Sequence, residues 1–67
     1  MEKGWELVTF FDKRNRAEMF IGLLESNGIK AVIINKKGSE LLVGPVEVYV
    51  KDEDIVQSKE FLISFES

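Results

Sequence analysis

Aromatic and β-branched residues crowd the first apolar stretch of the chain, Trp5-Glu6-Leu7-Val8-Thr9-Phe10-Phe11, which predicts a strand. Asp12, Lys13, Arg14 and Asn15 break it. Asp12 or Asn15 can cap a following helix, because a short polar side chain accepts a bond from a free N–H of the first turn. From Arg16 to Asn27 the period changes. Ala17, Phe20, Ile21 and Leu24 fall at i, i+3, i+4 and i+7, one face of a helix, and Met19 and Leu23 widen that face. Gly22 costs about 1 kcal/mol relative to Ala inside a helix, so it is expected to mark a close approach to a neighbouring element. Asn27-Gly28 ends the helix, since Gly adopts the left-handed conformation at its C-terminal cap without strain. Ile29 to Asn35 predicts a second strand, too β-branched to prefer helix. Lys36 to Pro45 connects it to Val46-Glu47-Val48-Tyr49-Val50, whose strict alternation predicts a third strand with one buried face. Asp52, Glu53 and Asp54 then open a second helix reaching about Phe65, where their charges complement the helix dipole.

The order is β-α-β-β-α. A right-handed β-α-β crossover followed by a hairpin gives an α+β, ferredoxin-like two-layer sandwich. Its antiparallel sheet has the order 1-3-2 and lacks the usual last strand, so the first strand is left at an edge. Residues 1–67 form a single small domain, with an expected core of Val8, Ala17, Ile21, Leu24, Ile33, Val48, Ile55 and Leu62.

Composition narrows the function. A chain of 67 residues buries only about 60% of its unfolded surface. There is no Cys to staple it and no His, so the usual zinc frameworks and the Ser–His and Cys–His nucleophile pairs are excluded. A formal charge of −3 argues against non-specific binding to nucleic acid or acidic membranes. No apolar run approaches the roughly 18 residues of a spanning helix and the start is too polar for a signal peptide, so the expected location is cytoplasmic.

Several segments carry a resemblance: the aromatic start "WELVTF", "RAE" opening the first helix, "GLLESNGI" across the helix–strand junction, "NKKGS" after the second strand, and "VEVYV" before an acidic helix start. Together they resemble a small bacterial family of putative prokaryotic signal transducing proteins, a domain of unknown function. The resemblance covers nearly the whole chain. It implies a ferredoxin-like fold distantly similar to the nitrogen-regulatory PII proteins and no established activity. The long nucleotide-contacting loop of PII proteins is missing here.

No serine sits in a nucleophile-elbow context, and Asp52, Glu53 and Asp54 lack calcium-loop spacing, which favours a helix-start role. The chain reads as non-enzymatic, with no catalytic residues, metal or cofactor. Two surfaces remain. If Val8 and Phe10 face the helices, Trp5, Leu7 and Phe11 point away and join Tyr49 in an apolar patch on the open sheet face; both faces of the first strand are apolar, so the opposite register is open. Leu41, Leu42 and Val43 extend that patch or cap the core. At one pole, Lys13, Arg14 and Arg16 after the first strand meet Lys36 and Lys37 after the second, an arrangement suited to an anion. The first expectation is a binding or regulatory module that forms a homodimer or binds another protein through its open face or edge strand. The alternative is a sensor of a small phosphate-bearing ligand at the basic pole, and a weaker one is RNA stacked on the aromatic face.

Overall fold

The structure, a computed structural model, describes residues 3–35 and 45–67. Its elements are β1 (Trp5–Phe11), α1 (Arg14–Ser26), β2 (Ala31–Asn35), β3 (Val46–Lys51) and α2 (Ile55–Glu66), with a single 3₁₀ turn, Asp52–Asp54, leading into α2. The sheet order is β1-β3-β2 with both pairings antiparallel, as the period changes predict. The two helices pack on each other and on the same face of the sheet.

The alternation of β3 is what seats the helices. Val46, Val48 and Val50 are all buried at 1% exposure or less, while Glu47 and Tyr49 turn to the other side. Strand β1 does not alternate in the same way. Leu7 pairs with Tyr49 and Thr9 pairs with Val48, so Val8 is an extra residue, a β-bulge. The bulge shifts the phase of everything after it. Val8 and Phe11 are buried, three residues apart, and Phe10 is 61% exposed. The expected inward Phe10 and outward Phe11 are therefore exchanged. In its inward position Phe11 meets Phe20 of α1 and Phe65 of α2 at centroid distances of 5.7 and 6.0 Å, and Phe20 and Phe65 lie 5.4 Å apart. Three elements close on one aromatic cluster in tilted and edge-on arrangements.

The passage from α1 to β2 is taut for a local reason. Gly28 has a φ of +82°, its N–H donates to the Glu25 carbonyl at 3.0 Å, and the Ile29 N–H donates to the Leu24 carbonyl at 3.0 Å. This is a Schellman closure, and its apolar contact joins Ile29 to Leu24, both buried. Ile29 is engaged there, so β2 begins at Ala31 instead of Ile29. Helix α1 also begins two residues earlier than expected. Lys13 takes the cap position with extended backbone and no side-chain cap bond, leaving Asp12 one residue too early and Asn15 inside the helix. At the other end of the sheet the Asp52 N–H donates to the Gly4 carbonyl at 2.8 Å, which ties the start of β1 to the end of β3. Asp52–Asp54 form a 3₁₀ turn, and α2 proper starts at Ile55 without a side-chain cap.

Of the expected core, Val8, Ala17, Leu24 and Val48 are buried, whereas Ile21, Ile33, Ile55 and Leu62 are half-buried and pack around the rim. Phe20, Ile29, Ala31, Val46 and Val50 complete the centre. Ser58 of α2 is also fully buried, with a hydroxyl that has no hydrogen-bond partner among the described residues. Gly22 does not mark a close approach: a Cβ there meets nothing within 4 Å.

Two glycines should thus respond in opposite senses. Gly22→Ala should raise stability by about 0.5–1 kcal/mol by restricting the unfolded chain. Gly28→Ala should lower it by about 1–2 kcal/mol, since an L-residue is strained at positive φ. Ser58→Ala removes a buried unsatisfied hydroxyl and should stabilise by about 1 kcal/mol. Chemical denaturation of the three variants beside the parent chain measures all of these.

Candidate functional site

The helices cover one face of the sheet, and the register of the three strands lays out the other in three rows. Trp5 stands opposite Lys51. Leu7, Tyr49 and Val32 form the middle row, and Phe10, Glu47 and Ile34 form the third. Leu7, Phe10 and Ile34 are 40%, 61% and 37% exposed, and Trp5, Val32 and Tyr49 are half-buried by their neighbours in the sheet. Six apolar or aromatic side chains share one surface, bounded by a cation at one end of β3 and a carboxylate at the other.

Local contacts hold the polar members in place. The Lys51 Nζ lies 5.4 Å from the Trp5 ring centroid, a cation–π distance. The Tyr49 hydroxyl donates to Glu47 Oε1 at 3.0 Å, a bond along one strand between residues on the same face. That bond raises the phenol pKa above its ordinary 10.0, with smaller contributions in the same direction from burial and from the Glu47 charge.

Of the residues expected on this face, Trp5, Leu7 and Tyr49 are there, and Phe11 is in the core for the reason already given, with Phe10 in its place. Val32 and Ile34 belong to the face as well. Their signal was the alternation within "AVIIN", which becomes legible once β2 is known to pair with β3 residue for residue. Leu41, Leu42 and Val43 lie outside the described residues.

Of the basic pole, Lys13, Arg14 and Arg16 lie among the described residues. Lys13 and Arg16 line an open depression of about 460 Å³ together with Phe10, Phe11, Asp12 and Glu66, so two carboxylates share it. Arg16 lies over the Phe65 ring at 4.8 Å and near Phe11 at 6.0 Å. Arg14 turns to Glu18, with Nε to Oε2 at 3.1 Å. Lys36 and Lys37 lie outside the described residues. Among the described residues no group of three or more carboxylates is placed to hold a metal ion, and no helix is long and apolar enough to cross a membrane.

The chain belongs to the family described as putative prokaryotic signal transducing protein, whose model matches residues 5–66, from the start of β1 to the end of α2. No curated protein and no solved structure matches it.

Tyr49 is the only tyrosine of the chain, so ultraviolet absorption follows the centre of the open face directly. Its titration midpoint should lie above 10.0, and Glu47→Gln should bring it down toward that value. The folded pKa is the raised one. The stability from this bond is therefore fully present below the unfolded-state pKa and is lost as pH rises through the folded pKa. Thermal melts between pH 9 and 12 should show the parent losing stability more steeply than Glu47→Gln.

Proposed function

We propose that this member of the signal-transducing family is a non-enzymatic binding module that works by protein contact through the open face of its sheet. The observation that carries this reading is the register itself: Trp5, Leu7, Phe10, Val32, Ile34 and Tyr49 share one surface, with Leu7, Tyr49 and Val32 side by side across its middle, and both helices lie on the opposite side. Isolated exposed apolar residues are ordinary, but contiguous ones mark interaction surfaces. The contrast is visible on α2, where Val56 and Ile63 are each 71% exposed and stand two turns apart.

Protein suits this face better than RNA. Aromatic residues on a sheet can stack bases, but the net charge of −3 and the carboxylate of Glu47 within the face oppose a phosphate backbone. The face also has better support than the edges. The bulge at Val8 interrupts the regular spacing of β1, and β2 is only five residues long, both features that discourage strand addition. The anion-sensor reading has less support, because Arg14 is paired with Glu18 and Arg16 is laid over Phe65.

Photo-crosslinking in cells tests the reading. A photoreactive phenylalanine analogue replaces Leu7, Phe10 or Ile34 on the face, and Val56 or Ile63 on the outer side of α2. The face positions should give adducts of one defined mass, and the α2 positions should give none. Adducts confined to α2, or none at any position, would overturn the assignment.

A further inference from the structure

We draw no further inference here: the strongest candidate, the apolar open face of the sheet around Tyr49, belongs to the site already described, and nothing in the structure shows what covers it.

Discussion

Inserting Val8 as an extra residue in β1 changes which side of the sheet each following residue occupies. Without it, Phe11 would lie on the outside and the site between α1 and α2 near the end of β1 would hold Phe10 or nothing. With it, Phe11 reaches Phe20 and Phe65, and the strand, the first helix and the last helix are held by one cluster. The rest of the architecture depends on that closure. Arg16 completes the cluster from the solvent side by lying over Phe65. A domain of this size has little apolar area to spare, so three aromatic rings meeting at one point are a large share of what opposes chain entropy.

The same insertion adds Phe10 to the candidate site. Turning Phe11 inward turns Phe10 outward, into the row of Glu47 and Ile34. One irregularity in one strand thus supplies a core residue on one face and an exposed aromatic on the other. The bulge also roughens β1 as an edge, which leaves the broad face as the more regular apolar surface of the molecule.

The element order, the sheet order and the abrupt turn from α1 to β2 were all legible in the sequence. Each rests on local chemistry: the 3.6-residue spacing of Ala17, Phe20 and Leu24, the left-handed preference of Gly28, and the strict alternation of Val46, Val48 and Val50. The phase of β1 was not legible, because Leu7, Val8, Phe10 and Phe11 are all apolar and alternation carries no information there. A bulge is a property of two paired strands, and only the pairing of Leu7 with Tyr49 and Thr9 with Val48 reveals it. The start of α1 was hidden for a related reason. Asp12, Lys13, Arg14 and Asn15 are uniformly polar, and the helix begins after Lys13 with no capping side chain to announce it. At the site, Trp5, Leu7 and Tyr49 were readable from their own strands, while Phe10 needed the bulge and Val32 and Ile34 needed the register to β3.

The outer face is more apolar than the fold requires. Strand propensity at positions 7, 10 and 34 would be met by Thr or another β-former with a polar end, and solvent-facing positions of an antiparallel sheet usually carry such residues. Leu7, Phe10 and Ile34 keep 37–61% of their surface in water. That exposed apolar area contributes to stability only when something removes it from water, at about 25 cal/mol per Å². Tyr49 fits the same logic. Its hydroxyl is tied back to Glu47 along its own strand, which leaves the ring edge and the flanking Leu7 and Val32 as the accessible middle of the face. A fold selected for monomeric solubility alone gives no reason for that combination. A fold that presents one face to a partner accounts for it without further assumption.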